Sequence, residues 1–131
     1  MVVEDKVLLQ KEQLQKAILA LDETLKLPPT RVNKDATIQR FEFTFELTWK
    51  ILQSILRVRG VEVFSPREVI RGAAQEGLIE NVDTWLNFLA SRNASTHIYS
   101  EEMADDTYET AKVFYNEVSK LSKLDHKGDA F

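Results

Sequence analysis

The sequence predicts an all-α protein, an antiparallel up-and-down bundle of four to five helices. Apolar side chains recur at steps of three and four, and most of the few Gly and Pro residues fall between these segments or at their ends. The one short extended stretch has no plausible strand partner. With 131 residues, of which 44% are hydrophobic, the chain can bury one sizeable core and is too short for two. We therefore expect a single domain over residues 1–131.

The first helix is predicted over residues 5–26. Its apolar side chains are spaced by four, three and four residues, which places them on one helical face. They are Leu14, Ile18, Leu21 and Leu25. Pro28 and Pro29 follow and end the helix, because proline lacks the backbone N–H and disfavours helical conformation in the residue before it.

The second helix is predicted to be the centre of the bundle, with Asp35 as its cap. Apolar residues cover most of its circumference in two neighbouring stripes. One stripe is Ile38, Phe41, Phe45, Trp49, Leu52 and Leu56, and the other is Phe43, Leu47, Ile51 and Ile55. A narrow polar line remains, which consists of Gln39, Glu42, Glu46, Lys50, Gln53 and Arg57.

A short third helix is predicted after Gly60, which closes the second. Ser65 is a typical N-cap, Pro66 suits the first helical position, and Glu68 completes a capping box. The short helix is expected to end at Gly77.

Two further helices complete the prediction. The fourth begins near residues 81–83 and carries Trp85, Phe88 and Leu89 towards Arg92. Ser100 caps the last helix, whose inner face is Ala104, Thr107, Ala111, Phe114, Val118 and Leu121. Residues 125–131 are expected to form a flexible tail.

Composition excludes several classes of function. The formal net charge of −4 argues against binding nucleic acid by general electrostatic attraction, so any contact with RNA has to be local. The absence of cysteine removes thiol catalysis and Cys-ligated zinc. With only His97 and His126 available, we expect no metal site and no cofactor. No apolar run approaches the ~20 residues of a membrane span, so we expect a cytoplasmic protein without membrane association.

The segment 92–99 concentrates the side chains that suit phosphodiester chemistry. Arg92 provides a planar guanidinium for phosphate oxygens, and His97 can transfer protons near neutral pH. Residues five apart on a straight helix point about 140° away from each other. The two therefore converge only if the helix ends or bends between them, or if a second chain supplies one partner. The structural alternative is a helix C-terminus at which a cationic His97 is favoured by the helix dipole and Arg92 forms a surface ion pair.

Two groups of charged residues have both a structural and a functional interpretation. Glu42 and Glu46 form part of a solvated stripe, or else they face a cleft and orient His97. The basic cluster Arg57, Arg59, Arg67 and Arg71 is ordinary surface charge, or else it contacts RNA or an acidic protein.

A family resemblance is carried by four parts of the sequence in their order and spacing. They are residues 38–50, residues 65–71, residues 77–79, and Trp85 followed by Arg92, Asn93 and His97. On these residues the sequence closely resembles the nucleotidyltransferase substrate-binding proteins, a branch of the HEPN (higher eukaryotes and prokaryotes nucleotide-binding) superfamily.

The resemblance implies a helical bundle that forms a homodimer or a higher homo-oligomer, and a minimal nucleotidyltransferase encoded nearby as its partner. It implies that Arg92, Asn93 and His97 form the active site of a metal-independent ribonuclease. In some relatives the partner enzyme attaches AMP to a tyrosine two residues after the histidine, and Tyr99 occupies that position.

Two functions follow as hypotheses. The first is a HEPN-type toxin that cleaves RNA without a metal and is neutralised by a minimal nucleotidyltransferase antitoxin, with Glu42 and Glu46 supporting the site. The alternative is a noncatalytic subunit that binds a nucleotide or substrate for a two-component nucleotidyltransferase.

Overall fold

The computed structural model describes residues 3–96 and 100–123. This part of the chain forms five α-helices and no strand, which confirms the predicted fold class. The helices are α1 (Val3–Leu25), α2 (Arg31–Val58), α3 (Pro66–Gln75), α4 (Val82–Ser95) and α5 (Glu101–Lys123). The predicted tail at residues 125–131 lies outside the described residues, as do His97, Tyr99 and His126.

The four long helices alternate in direction, and α3 lies in the connection between α2 and α4. The Thr44 hydroxyl donates to the Ala17 carbonyl and the Arg40 guanidinium to the Ala20 carbonyl, so α1 and α2 are antiparallel. Lys34 of α2 pairs with Asp105 of α5 at 2.9 Å. The rings of Phe41 and Phe114 are in contact further along the same two helices, so α2 and α5 are parallel. None of the described helices is long and apolar enough to span a bilayer.

The start of α2 differs from the sequence prediction. The cap is Thr30, whose side chain accepts a hydrogen bond from the Asn33 backbone N–H at 3.2 Å. Asp35 lies one turn inside the helix and pairs with Arg31 at 3.1 Å. Thr30 directly follows the two prolines and is itself extended, and its side chain caps the helix that begins at the next residue, Arg31.

Helix α2 packs against each of the other four helices, which confirms its predicted central place. The ring of Phe114 from α5 lies at the middle of the core, with centroids 5.2 Å from Phe41, 5.3 Å from Phe88, 6.0 Å from Phe45 and 6.1 Å from Trp85. The predicted inner face of α5 is buried at all six positions.

The second predicted apolar stripe of α2 is only half correct. Ile51 and Ile55 are buried, but Phe43 is 42% exposed and Leu47 is partly buried. Trp49, predicted as a core residue, is also only partly buried. Other buried positions of α2 are occupied by hydroxyl residues such as Thr44 and Thr48. Each hydroxyl donates a hydrogen bond to the carbonyl four residues earlier, so it is not left without a partner inside the core.

The connection from α2 to α3 folds back along α2. Gly60 takes a positive φ of 83°, which glycine adopts without steric cost. The Gln53 side-chain amide then donates to the Val63 carbonyl at 2.8 Å, which holds the extended segment against α2. Ser65 and Glu68 form the predicted capping box at the start of α3.

Candidate functional site

The candidate site is centred on Arg92, in the last turn of α4. Its guanidinium Nη2 lies 3.4 Å from Oε2 of Glu46, on the middle of α2. The two side chains are 31% and 33% exposed, so the pair is open to solvent and to a ligand. An ion pair of this exposure contributes at most about 1 kcal/mol to stability, so it is better suited to orienting the guanidinium than to holding the fold.

The guanidinium of Arg92 has donors that Glu46 does not use. Arginine carries five N–H donors in a planar fork, and Glu46 faces only one terminal nitrogen. The Nε of Arg92 is buried and has no hydrogen-bond partner among the described residues. Because Nε is buried, the capacity that remains for the oxygens of a phosphate or a carboxylate lies on the terminal nitrogens of the partly exposed guanidinium.

An open groove adjoins the ion pair between the N-terminal half of α2 and the end of α4. Gln39 and Glu42 line it from α2, and Ser95 lines it from α4. Because Glu42 lies one turn before Glu46, the groove and the ion pair lie on the same side of α2. Nowhere in the described part of the chain do three acidic or histidine residues gather closely enough to hold a metal ion.

Ser95 is a groove residue that the sequence analysis did not single out. Its hydroxyl donates to the Arg92 carbonyl at 2.8 Å, which ties the last turn of α4, and the residue is 8% exposed. The available signal was its position three residues after Arg92, on an adjacent part of the same helix face.

The structure brings together some of the predicted site residues. Arg92 and Glu46 are in contact, and Glu42 lines the adjoining groove. Asn93 is exposed, and its carbonyl accepts from the Thr96 hydroxyl at 3.0 Å. His97 and Tyr99 lie outside the described residues, so their distances to Arg92 stay predictions.

Comparison with known proteins adds a family match. Residues 9–125 match the family described as nucleotidyltransferase substrate binding protein like. A curated relative, named probable ribonuclease HepT, from Haemophilus influenzae, is 29% identical over 89 residues. The match covers 64% of this chain and 61% of the relative, so this chain spans about three fifths of that protein's length.

Two solved structures share the fold. A protein from Thermus thermophilus is 35% identical, with a TM-score of 0.72 and coverage of 82% of this chain and 98% of the other. A Haemophilus influenzae protein is 25% identical, with a TM-score of 0.74 and coverage of 86% and 96%. Its structure is described as the fold of a substrate binding domain of a nucleotidyltransferase.

Proposed function

Because the chain belongs to the nucleotidyltransferase substrate-binding protein family, we propose that it is a HEPN-type toxin that cleaves RNA without a metal ion and works with a minimal nucleotidyltransferase as its antitoxin. The observation that carries this proposal is the partly exposed Arg92, whose guanidinium pairs with Glu46 through one terminal nitrogen and is open to a phosphate on its exposed side. The name of the curated relative, probable ribonuclease HepT, supports the same reaction class.

Arg92 would bind the phosphate at which the reaction occurs. As the RNA 2′-oxygen attacks phosphorus, negative charge builds on the non-bridging oxygens, and a guanidinium stabilises that charge with two parallel hydrogen bonds. The carboxylate of Glu46 attracts one terminal nitrogen of the guanidinium and so helps to position it before the substrate arrives. Glu46 is thus a positioning residue in this mechanism.

His97 would move the protons. The O2′–P bond forms as the 2′-hydroxyl loses its proton to a base, and the P–O5′ bond breaks as the 5′-oxygen receives a proton from an acid. The products are a 2′,3′-cyclic phosphate and a free 5′-hydroxyl. Each chain supplies one motif histidine, so a two-fold homodimer that brings two copies of His97 to one cleft would provide both base and acid.

A second candidate function is favoured by the structural neighbour described as a substrate binding domain of a nucleotidyltransferase. In that function the chain binds a nucleotide or an acceptor and presents it to the partner enzyme without reacting itself. The partly exposed guanidinium of Arg92 would then hold a nucleotide phosphate.

The discriminating experiment is cleavage of RNA by the purified protein in the presence of EDTA. We expect the wild type to produce fragments with 2′,3′-cyclic phosphate ends, and His97→Ala to produce none. Intact RNA with the wild type, or equal cleavage by both proteins, would rule out the ribonuclease. Retained binding of ATP in that case would favour the second function.

Tyr99 is proposed as the acceptor of AMP from the partner enzyme. An AMP phosphate on this residue would compete for Arg92 and fill the cleft, which would block cleavage through both charge and size. We expect Tyr99→Phe to cleave RNA but to gain no mass when incubated with ATP, Mg²⁺ and the nucleotidyltransferase. Tyr108→Phe serves as the control, because Tyr108 is 6% exposed and should not affect the modification. Modification of Tyr99→Phe at the wild-type rate would show that another residue is the acceptor.

A further inference from the structure

The most basic region of the chain lies outside the Arg92 site. Residues 50–76 contain five basic and three acidic residues, a net charge of +2, so the remainder of the chain carries −6. Positive charge in an acidic protein is therefore concentrated in the second half of α2, the following connection and α3. A surface with this local charge attracts a polyanion even though the whole molecule does not.

The polar line of α2 connects this region to the candidate site. Eleven residues are close to three full helical turns, so Arg57 lies on the same face of α2 as Glu46, about 16 Å further along the axis. Lys50 and Gln53 lie between them on that face. Both Lys50 and Arg57 are exposed, and neither forms an ion pair with a described residue.

An aromatic ring stands beside this line. The hydrogen bond from Gln53 to the Val63 carbonyl holds the extended connection against the same face of α2. The next residue, Phe64, is 68% exposed, the largest exposed fraction of any aromatic side chain in the described part of the chain. A ring exposed to this degree contributes little to the core and offers its face to a ligand.

Two further arginines follow that ring in the sequence, on α3. Arg67 and Arg71 are one turn apart on the same side of the helix, and both are exposed and form no ion pair with a described residue. Arg71 also lines an open groove between α3 and α4 with Leu86. Leu86 lies seven residues before Asn93 and therefore on the same side of α4. The groove beside Arg71 therefore faces the side of α4 that ends at Asn93, whereas Arg92 lies about 120° around the helix from Leu86, so it is the polar line of α2 that connects this region to the Arg92 site.

We propose that Lys50, Arg57, Phe64, Arg67 and Arg71 form a binding track for single-stranded RNA that extends from the Arg92 site. The guanidinium and ammonium groups contact backbone phosphates, and one base stacks on Phe64. This inference rests on the proposed function in one respect: the phosphate bound at Arg92 is taken to be the one at which the RNA is cleaved.

A protein partner fits this surface less well than RNA. Stable protein interfaces bury roughly 800 Å² on each side around an apolar centre that is poor in charged residues. Here the largely exposed apolar side chains are Val58 and Phe64, and each has an exposed arginine near it in the sequence, Arg57 and Arg67. Isolated aromatic rings among cations are instead typical of surfaces that bind single strands without sequence preference.

The test is the affinity of the protein for a non-cleavable 2′-O-methyl RNA oligonucleotide of about 12 nucleotides, a length within the site sizes of single-strand binders. We expect Phe64→Ser to weaken binding about tenfold and Phe64→Tyr to retain it, because the tyrosine ring also stacks. Arg67→Gln should reduce the slope of log affinity against log salt by about 0.7, the effect of losing one phosphate contact to a single strand.

Matched controls come from α1, which packs on α2 and α5 and does not contact α3 or α4 in the described structure. Lys16→Gln removes an exposed charge there, and Leu19→Ser removes an apolar side chain that is 65% exposed. Both should bind the oligonucleotide as the wild type does.

The outcomes separate this proposal from the ribonuclease. Wild-type affinity in both Phe64→Ser and Arg67→Gln, or an equal loss in Lys16→Gln, overturns the track whether or not the protein cleaves RNA. The track is also overturned if these two variants bind RNA normally but no longer associate with the nucleotidyltransferase, because the surface is then a protein interface. Weakened binding in these variants, together with a wild type that cleaves nothing, supports the track and refutes the ribonuclease.

Discussion

At the scale of single residues, Arg92 is expected to matter for activity far more than for stability. Its ion pair with Glu46 is about one-third exposed, so Arg92→Gln should change the free energy of unfolding by less than about 1 kcal/mol. The same variant should lower kcat for RNA cleavage by about 100-fold or more, as the loss of a donor to transition-state charge does.

The charge-conserving variant Arg92→Lys should not restore this activity. An ammonium group cannot form two parallel hydrogen bonds with a phosphate. Denaturation midpoints and kcat values for the two variants provide the measurement. Full activity of Arg92→Lys would show that charge alone is sufficient at this position.

Glu46 is expected to act through Arg92. Glu46→Gln keeps an acceptor but loses the charge that orients the guanidinium, so kcat should fall about tenfold while KM changes little. Glu23→Gln is the matched control, because Glu23 pairs with Arg40 at 3.2 Å on the α1 side of α2. A loss of the same size in both variants would mean that Glu46 has no specific role in the site.

At the scale of helices, Phe114 should be the most costly side chain of α5 to remove. Its ring is fully buried and contacts four aromatic rings from α2 and α4. We expect Phe114→Ala to reduce the free energy of unfolding by about 3–5 kcal/mol. The neighbouring Val113 is 49% exposed, so Val113→Ala should stay within about 0.5 kcal/mol of the wild type in urea denaturation. Similar losses in both would contradict this position of the core.

A hydrogen bond between Tyr115 of α5 and Asp22 of α1 should make the stability of the fold depend on pH. Lys26 and then Tyr115 donate hydrogen bonds to Asp22, and together they hold the pKa of that carboxyl below its ordinary value of 3.8. A group with a lowered pKa in the folded state stabilises the fold above the pKa of the unfolded chain. This contribution is therefore complete above pH 3.8 and is lost as the pH falls through the lower folded value.

The variant Tyr115→Phe tests this bond. Its free energy of unfolding should lie about 1 kcal/mol below that of the wild type at neutral pH, and the difference should shrink below the ordinary pKa of Asp22. Tyr108→Phe makes the same chemical change in a buried tyrosine that does not contact Asp22, and should show no such pH dependence. A difference for Tyr115→Phe that is constant from neutral to acidic pH would exclude the Asp22 bond as its cause.

At the scale of the whole molecule, the proposed mechanism ties activity to dimer formation. If two copies of His97 serve one cleft, the activity per chain should fall on dilution together with the dimer fraction. Sedimentation measurements and cleavage assays over one concentration series provide the comparison. Undiminished activity in a monomeric sample would show that one chain contains a complete site.

The sequence alone determined the helical elements and the chemistry of the candidate site. Caps such as Ser65, the positive-φ glycines Gly60 and Gly77, and the inner face of α5 depend on residues within a few positions of each other. Such local signals can be read from a single chain, because capping and helical periodicity act over one or two turns. The sequence also predicts Arg92 as a site residue, through its chemistry together with the family resemblance.

Only the tertiary structure decided which helix faces meet. Arg92 and Glu46 are 46 positions apart in the sequence, and no local pattern indicates that they form an ion pair. The exposure of Phe43 and the partial exposure of Trp49 likewise depend on where the other helices pack around α2. An apolar stripe specifies that a face is to be buried but not which partner covers it, because the hydrophobic effect is non-directional. The selection is made by shape and packing among all the helices, which exist only in the assembled bundle.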